Sequence, residues 1–354
     1  IGSGFSGSIL ARILASRGRS VILLDSSRHP RFSIGESSTP IADLLLRQLG
    51  LRYNLPDLVE LSSYGSWQRA FPQIACGMKR GFTYFDHRNP AGTFPETFLG
   101  QRSLIVAASP TDANSDTHWF RSDLDAFLFQ KAIEVGVEAR EETPVVGVET
   151  TDGDRTVIRL KTGESVTASH LIDASGSAAV SARLLGQRPI TDRLQTKTAA
   201  AFAHFSGVAS YSDAFNRQHG DRRACVPFDA DDAAQHHLID EGWAWMLRMN
   251  NAITSVGVTV PLKHSKTNDG GHAAAAVDVL QRRFANYAGL FEIMRDAQIV
   301  APSSGIVAIE RIQRLYDPVV SPNCLMMPTT AVTIDPLHST GIAHSLAGVA
   351  RIAE

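Results

Sequence analysis

The chain has 354 residues, 44% of them hydrophobic, and a formal net charge of −2 from 34 basic and 36 acidic residues. This length favours a large core and two domains, and the lack of a basic run argues against nucleic acid as a partner. No apolar run reaches the roughly 18 residues that a membrane span requires.

The cysteines and histidines form no metal-binding pattern. Cys76, Cys225 and Cys324 are scattered without a CxxC pair, which is typical of a reducing compartment, so we expect a cytoplasmic protein. The 12 histidines include no HExxH motif, and we predict no metal site. The chain begins inside a motif at Ile1 and ends inside a helical pattern at Glu354, so we interpret it as part of a longer protein.

The first predicted element is a helix that starts on a glycine-rich turn. Residues 1–7, IGSGFSG, are followed by apolar residues at helical spacing in 8–18. A short β-branched run, SVILLD at 20–25, then ends in an acid. This order predicts a βαβ unit, with three glycines at GxGxxG spacing: Gly2, Gly4 and Gly7.

The chemistry of this turn indicates dinucleotide binding. Gly2 permits a tight turn, Gly4 lets a pyrophosphate approach the backbone, and Gly7 allows close packing of helix and strand. The first amides of the helix can bind phosphates, and Asp25, 18 residues after Gly7, can accept hydrogen bonds from a ribose. A plain βαβ unit remains the alternative, and the motif does not distinguish NAD from FAD.

The middle of the chain continues with a turn, a helix and a meander. RFSIGESSTP at 31–40 offers small residues and backbone donors, and 118–140 predicts a helix with Arg121 near its start and an end at Gly136. Predicted strands follow at 144–150, 156–160 and 165–176, the last closing on the DASG turn of Asp173 to Gly176.

The last third predicts strands, a helix and a second glycine turn. The spacing indicates strands at 198–205, 243–249 and 253–260 and a helix at 272–289. DPLHSTG at 335–341 then leads into a predicted helix over 341–353, with Ser339 or Thr340 as its capping side chain.

This order of elements resembles the flavoproteins of the para-hydroxybenzoate hydroxylase type, and within them the flavin-dependent halogenases, including the tryptophan halogenases. The similarity covers nearly the whole chain. Its most specific pieces are GESSTP at 35–40, the tryptophan pair in GWAWML at 242–247, and 335–341. It implies an α/β fold, α+β overall: a Rossmann-like FAD-binding domain with a β-meander, plus an antiparallel-sheet substrate domain.

The resemblance also implies FAD as the cofactor, held at two helix starts. The pyrophosphate binds one helix N-terminus, and the reduced isoalloxazine, anionic at N1, binds near the other. The implied cofactor-binding residues are Gly2, Gly4, Gly7, Asp25, Glu36, Ser37, Arg121, Asp173, Gly176, Thr329, Asp335 and Pro336.

The reaction implied by the resemblance is halogenation. Reduced FAD from a separate flavin reductase, oxygen and chloride or bromide form hypohalous acid, which travels through a tunnel to a lysine beside an aromatic substrate. Backbone amides of Thr340 and Gly341 would bind the halide. The implied tunnel and substrate wall consists of Trp243, Trp245, Leu247 and His338.

Lys79, in CGMKRGFTYF at 76–85, matches the position of the family's lysine. Such a lysine requires burial, since desolvation lowers its pKa and leaves an amine that can accept chlorine or orient hypohalous acid. The alternative is an ordinary lysine on a strand edge beside Arg80.

Several residues depart from the family pattern. In the WxWxIP motif, Leu247 replaces Ile and Arg248 replaces Pro. Alternation places the two tryptophans and Leu247 on one strand face, and we expect Arg248 to add charge beside the pocket. Thr329 stands where the family has an aspartate for the ribityl chain, which predicts lower cofactor affinity.

His338 stands where tryptophan halogenases carry a glutamate that stabilises the cationic intermediate. An imidazole cannot stabilise a cation as a carboxylate does, so we disfavour free tryptophan and expect an electron-rich phenol or pyrrole, free or carrier-bound. His338 itself is either a hydrogen-bonding residue of the site or a packing histidine.

Two alternative functions remain open at this point: a monooxygenase or double-bond reductase of the same fold, and a weakly flavin-binding, non-catalytic protein. The sequence predicts a discontinuous FAD-binding domain with a substrate domain inserted twice, and a C-terminal helical cap beyond Glu354. The predicted segments are 1–72, 104–192 and 302–354 for FAD binding, and 73–103 and 193–301 for the substrate domain.

Overall fold

The computed structural model of the protein describes residues 1–88, 102–151, 155–219, 226–262 and 271–354. Cys225 lies outside the described residues. The described helices are α1 (Phe5–Ser16), α2 (Pro40–Arg52), α3 (Pro56–Glu60), α4 (Tyr64–Ala70), α5 (Arg121–Glu134), α6 (Val180–Leu184), α7 (Tyr211–His219), α8 (Gly271–Gln281), α9 (Ala288–Met294), α10 (Pro328–Ala331) and α11 (Gly341–Ala353).

The strands of the first half and the meander are β1 (Ile22–Leu24), β2 (Cys76–Lys79), β3 (Gly81–Asp86), β4 (Ser103–Ala107), β5 (Asp116–Trp119), β6 (Glu138–Arg140), β7 (Val145–Thr151), β8 (Arg155–Leu160), β9 (Ser165–Ala168) and β10 (Leu171–Asp173). The later strands are β11 (Thr198–Ser206), β12 (Ala234–Ile239), β13 (Gly242–Arg248), β14 (Thr254–Pro261), β15 (Gln298–Ala301), β16 (Val307–Ile309), β17 (Arg314–Leu315), β18 (Val320–Ser321), β19 (Cys324–Met326) and β20 (Val332–Thr333).

The start, middle and end of the chain build one layered α/β region. β1 pairs in parallel with β6, and β10 pairs in parallel with β19. α1, α2, α5 and α11 share a hydrophobic core in which Ile13, Leu46, Leu124 and Leu346 are at most 2% exposed. The nitrogen of Ile1 donates to the carbonyl of Ile172 at 2.8 Å, which connects the start of the chain with its middle. The expected Rossmann-like part is confirmed.

A separate mixed sheet forms the second part of the molecule. Its strand order is β15-β11-β14-β13-β12-β3-β4, with β16 also on β11, and every pair is antiparallel except β12 with β3. α8 and α9 contribute Leu280 and Leu290 to the hydrophobic core on one face of this sheet. The predicted strands at 198–205, 243–249 and 253–260 all belong to it, which confirms the expected antiparallel sheet; the domain boundaries themselves stay a prediction.

The predicted meander is also present. β7, β8 and β9 form a three-stranded antiparallel sheet in chain order. The segment 165–176 is not one strand, however, because β10 leaves the meander and pairs with β19 instead. The buried Leu171 joins the core beneath this junction.

Two predicted helices have different limits in the structure. His118 and Trp119 belong to strand β5, because pairing with β2 buries both side chains, and the helix begins at Arg121. The segment 272–289 is broken after Gln281, because Phe284 and Tyr287 turn into the core and the Tyr287 hydroxyl bonds Glu241 at 2.7 Å.

Within the described ranges, no helix has the length and apolarity that crossing a membrane requires. The same residues contain no group of three or more His, Cys, Asp or Glu side chains arranged to hold a metal ion.

Candidate active site

The first glycine turn brings backbone segments into very close contact. Gly2 has φ +93°, and a Cβ on it would lie 2.5 Å from the Ala174 carbonyl oxygen. A Cβ on Gly7 would lie 2.0 Å from the Gly2 carbonyl oxygen. Both positions therefore require glycine. The contact at Gly7 is the close packing of helix and strand that the sequence predicted.

Gly4 precedes α1 and faces two cationic side chains. A Cβ built on Gly4 would lie 3.3 Å from a guanidinium nitrogen of Arg121 and 3.8 Å from one of Arg31. Arg121 forms a two-pronged ion pair with Asp125 at 2.8 and 2.9 Å, and it also donates to the Ile34 carbonyl at 2.9 Å. Arg121 thus lies at the turn, as the resemblance implied.

Asp25 follows β1 and is 7% exposed. Its Oδ2 accepts from the backbone amide and hydroxyl of Ser3 at 2.8 and 2.7 Å, and Oδ1 accepts from the Ser27 amide at 2.9 Å. Burial favours a higher pKa for Asp25, but Arg31 and these hydrogen bonds lower it below its ordinary value. The carboxylate is therefore ionised and fixed beside the glycine turn.

The DASG turn, Asp173 to Gly176, is hydrogen-bonded to helix α10 from the last part of the sequence. Asp173 is fully buried and accepts from the amides of Ser175 at 2.9 Å and Ser181 at 2.7 Å. Gly176 has φ +59°, and its amide donates to Thr330 Oγ1 at 3.0 Å. This contact joins the turn to α10.

Thr329, in α10, is linked to the helix that follows the late turn. Its hydroxyl lies 2.8 Å from the hydroxyl of Ser345 in α11, and its carbonyl accepts from Arg314. The threonine therefore connects α10 and α11.

The late turn leads into α11, which spans the predicted 341–353. Thr340 precedes the helix but makes no side-chain cap, and Ser339 has φ +54° with its amide on the Pro336 carbonyl at 3.0 Å. Among the described residues no side chain caps the start of α11, so the predicted cap is wrong, and the helix start leaves its first amides without intrahelical partners. Asp335 accepts from the Leu337 amide at 2.9 Å, and burial raises the pKa of Asp335.

The exposure of this turn bears on His338. His338, Thr340 and Gly341 are all exposed. No core covers the His338 side chain in the described residues, and the packing role stays a prediction. A hydrogen-bonding role stays a prediction.

The turn at 35–40 bonds to the large sheet. Glu36 is 3% exposed, and its Oε1 lies 2.7 Å from Nε2 of His204 in β11. The neighbouring Ser37 pairs with His118 as an isolated bridge, and its hydroxyl is buried without a partner among the described residues.

The two tryptophans lie on one face of β13. Trp243, Trp245 and Leu247 share a hydrophobic cluster, whereas Ala244 and Met246 belong to the core on the other face. The predicted alternation is confirmed.

Arg248 lies on that other face. It donates to the Ala209 carbonyl at 2.7 Å and pairs with Asp231 at 3.2 Å. The expected charge beside the tryptophans is wrong, because the strand period turns the Arg248 side chain away.

Lys79, at the end of β2, is fully buried. Its Nζ donates to the Ser38 carbonyl and lies 4.2 Å from the centroid of the Phe82 ring. Burial lowers the pKa of Lys79 to about 8, against the opposing effect of Asp116 and Asp43. The burial and the lowered pKa that a reactive lysine requires are therefore both present.

His236 of β12 connects the predicted parts of the site. Its ring centroid lies 5.8 Å from that of Phe82, beside Lys79, and 5.3 Å from that of Trp243. Burial, together with the charge of Lys79, lowers the pKa of His236 to about 4, although backbone carbonyls including that of Leu337 oppose this effect. The lysine, the tryptophan face and the late turn thus meet around one neutral histidine.

Several residues of this arrangement escaped sequence reasoning. Asp43 lies in α2, Asp116 and His118 lie in β5, His204 lies in β11 and His236 lies in β12, and no motif joins these four elements. The one available signal was the pair His236-His237 in the strand at 234–239, which pairs with β13.

The fold and the site define a two-part α/β protein with a dinucleotide-type glycine turn and a buried lysine beside an aromatic wall. Residues 113–354 match the tryptophan halogenase family. The chain therefore belongs to this family.

Individual relatives agree with this assignment. The chain is 30% identical to the tetracycline 7-halogenase of Kitasatospora aureofaciens, over 98% of this chain and 60% of that protein. It is also 30% identical to the monodechloroaminopyrrolnitrin halogenase PrnC of Pseudomonas fluorescens, over 98% of this chain and 58% of that protein. The chain thus spans about three fifths of the length of these relatives.

A solved structure shows the same architecture. The halogenase PltM in complex with phloroglucinol and FAD superposes with a TM-score of 0.84 at 27% identity, over 99% of this chain and 67% of that one. The α/β fold assigned from sequence is therefore confirmed.

Proposed function

We propose that this chain carries the FAD and lysine sites of a flavin-dependent halogenase that acts on an electron-rich aromatic or pyrrole-type substrate. The observation that carries the proposal is the meeting of Lys79, the tryptophan face and the late turn around His236.

The residues at the first glycine turn fit the diphosphate of FAD. The space in front of Gly4 is bordered by the guanidinium groups of Arg121 and Arg31 and by the carboxylate of Asp125. Nε of Arg31 is buried and has no hydrogen-bond partner among the described residues. A diphosphate there would gain cationic partners and the amides at the start of α1 other than that of Phe5, which donates to Asp125 Oδ1 at 3.1 Å, with Asp25 beside it for a ribose.

The opposite end of the cofactor would lie against the DASG and late turns. Glu36, Ser37, Asp173, Gly176 and Thr329 would border it, with the turn at Asp335 and Pro336. When bound and reduced by a separate flavin reductase, FAD supplies the oxygen chemistry that converts chloride or bromide to hypohalous acid. Thr340 and Gly341 are exposed at the start of α11, where their amides would hold the halide.

Lys79 would then direct the halogen to the substrate. As a neutral amine it would take the halogen from hypohalous acid, forming an N–halogen bond and releasing water. The N–halogen bond would then break as the halogen bonds to a ring carbon, and the proton displaced from that carbon would end on the nitrogen, which regenerates the amine. Trp243, Trp245 and Leu247 would keep the substrate apart from the flavin. Because Lys79 has a pKa of about 8, a useful fraction of amine exists near neutral pH.

The substrate class follows from His338 and from the relatives. The exposed His338 supplies no carboxylate to stabilise a cationic intermediate, which favours an already electron-rich ring. A pyrrole-2-carbonyl carrier-protein brominase of Pseudoalteromonas luteoviolacea is 26% identical over 98% of this chain, so a carrier-bound pyrrole is included in the proposal.

The test uses the intact parent protein with reduced FAD, bromide and a panel of phenols, indoles and pyrroles. Lys79→Met should lose at least about 100-fold in substrate halogenation, while a chromogenic phenol trap still detects hypohalous acid. Lys131→Met, at a partly exposed lysine of α5, is the control and should leave both readings unchanged.

Other outcomes identify the alternatives. Unchanged halogenation in Lys79→Met would refute the lysine's role. Insertion of oxygen instead of bromine would indicate a monooxygenase, and a colourless protein that takes up no FAD would indicate a non-catalytic relative.

A further inference from the structure

Two carboxyl groups share the buried surroundings of Lys79. Asp116 of β5 is 2% exposed and lies directly across the β2–β5 pair from the lysine. Asp43 lies in the first turn of α2. Oδ1 of Asp43 and Oδ2 of Asp116 are both buried and have no partner within the described residues when the carboxyl groups carry no proton.

These two orphan oxygens point to one proton held between the carboxyl groups. Two adjacent carboxylates in a poorly solvated site cannot both ionise, because each charge opposes the other. Burial, followed by the Asp116 charge and the hydrogen bond between the pair, raises the pKa of Asp43 well above its ordinary value. Burial also raises the pKa of Asp116, although Lys79 and the bond from Asp43 oppose this.

We propose that Asp43 and Asp116 hold one proton between them and together supply the single negative charge that balances Lys79. They are positioning residues that act through the lysine, and this inference rests on the proposed role of Lys79.

The other groups around Lys79 leave this charge balance intact. His118 of β5 and His236 of β12 are buried and neutral, since burial lowers the pKa of His118 to about 3 and that of His236 to about 4. Phe82 of β3 presents its ring, and Ser38 presents a backbone carbonyl. The neighbouring Arg80 pairs instead with Asp112, whose side chain is 65% exposed.

A shared proton makes the two carboxyl groups redundant. Asp43→Asn replaces a protonated acid with a neutral group of the same shape and leaves the Asp116 charge. In Asp116→Asn, Asp43 loses its like-charged neighbour, ionises and takes over the balance. Only the double variant removes the counter-charge, so the effect on Lys79 should be strongly non-additive.

The first experiment follows Lys79 directly by NMR. The protein is labelled with ε-13C lysine, and the Lys79 signal is assigned by its loss in Lys79→Met. The chain offers few competing signals, from Lys131, Lys161, Lys197, Lys263 and Lys266. We expect wild type and both single variants to titrate within a few tenths of a pH unit of each other, and the double variant about one unit or more lower.

A second measurement does not depend on the double variant folding. Infrared spectra at neutral pH are recorded for wild type and for each variant, and the variant spectrum is subtracted from that of wild type. Both differences, for Asp43→Asn and for Asp116→Asn, should show the same protonated-carboxyl C=O band, which wild type has and each variant lacks. Asp112→Asn removes a carboxyl from the outer side of the same region and should change neither measurement.

Clear outcomes would overturn the proposal. A band that survives in either single variant would exclude the shared proton. A Lys79 titration that shifts fully in one single variant, or not at all in the double variant, would exclude redundant balancing. Both measurements need neither FAD nor substrate. If both measurements give the expected results while the pH profile of halogenation is the same in the double variant as in wild type, the proposed role of Lys79 is refuted and the shared proton of the carboxyl pair is supported.

Discussion

Lys79 illustrates how a single residue gains unusual chemistry from its position. The Nζ hydrogen bond to the Ser38 carbonyl and the Phe82 ring replace only part of the hydration that burial removes. The ammonium form is therefore disfavoured, and the pKa falls from 10.5 to about 8. The same burial that makes the amine available also costs folding free energy.

This cost predicts a pH-dependent stability. Between about pH 8 and pH 10.5 the unfolded chain keeps a proton on Lys79 that the folded protein has released, so the free energy of unfolding rises with pH there. The lysine contributes at most about 3 kcal/mol to this rise. Below that window both states are protonated, and the folded protein bears the full cost of the buried ammonium.

Urea unfolding of wild type and Lys79→Met measures the effect. The stability of Lys79→Met relative to wild type should fall as pH rises through this window, because only wild type gains stability from releasing the Lys79 proton. A constant difference between the two proteins across the window would contradict the prediction.

At the scale of elements, the tryptophan face depends on a glycine in the neighbouring strand. Trp245 lies directly opposite Gly257 of β14. A Cβ on Gly257 would lie 2.1 Å from the indole ring, so the ring covers the glycine. The orientation of Trp245 is therefore set by β14 and not by the WxW motif alone.

We expect Gly257→Ala to displace the Trp245 ring and to destabilise the protein by about 1–3 kcal/mol, since the packed sheet offers the methyl group no space. Chemical denaturation and the near-ultraviolet circular dichroism of tryptophan report the two effects. Gly147→Ala, where the new Cβ meets only the flexible Arg159 side chain at 3.4 Å, is the matched control. Unchanged tryptophan dichroism in Gly257→Ala would show that the contact does not fix the ring.

The turn before α1 makes a second prediction at this scale. Gly7→Ala places a methyl group against the Gly2 carbonyl. The obstacle is main chain and not a flexible side chain, so the clash can be relieved only by a costly shift of the backbone. We expect a loss of about 1–3 kcal/mol in the free energy of unfolding and at least tenfold weaker FAD uptake, measured by flavin fluorescence quenching. Normal FAD affinity in this variant would argue that the turn does not bind the diphosphate.

At the scale of the whole molecule, the two parts are joined by a few buried polar contacts. Glu36 and His204 are 168 positions apart in sequence, and both are almost fully buried. Their bond connects the turn at 35–40 with strand β11 of the large sheet.

Removing one partner should loosen this connection. Glu36→Ala leaves the His204 ring unpaired in the interior, which we expect to cost about 1–3 kcal/mol and to increase hydrogen exchange at the Trp119 amide, a donor to the Glu36 carbonyl. Glu36→Gln keeps an acceptor for His204 and should lose less. Equal losses in the two variants would indicate that the side-chain bond contributes little.

The sequence alone determined the features that depend on neighbours in the chain. The glycine turn at 1–7, the meander and helix α11 follow from local spacing and local backbone preference, and so does the alternation that separates Trp245 from Met246. The family resemblance and the place of Lys79 also follow from motifs. Each of these patterns depends only on residues that lie close together in the sequence.

Tertiary structure alone decided what depends on segments distant in sequence. Burial of Lys79 beside Asp43 and Asp116, the position of His236 between lysine and tryptophan, and the covering of Gly257 all arise where separate elements pack. The break in the helix predicted at 272–289 has the same origin. Burial and proximity set a group's solvation and the charges that it meets, and neither quantity is encoded in local spacing.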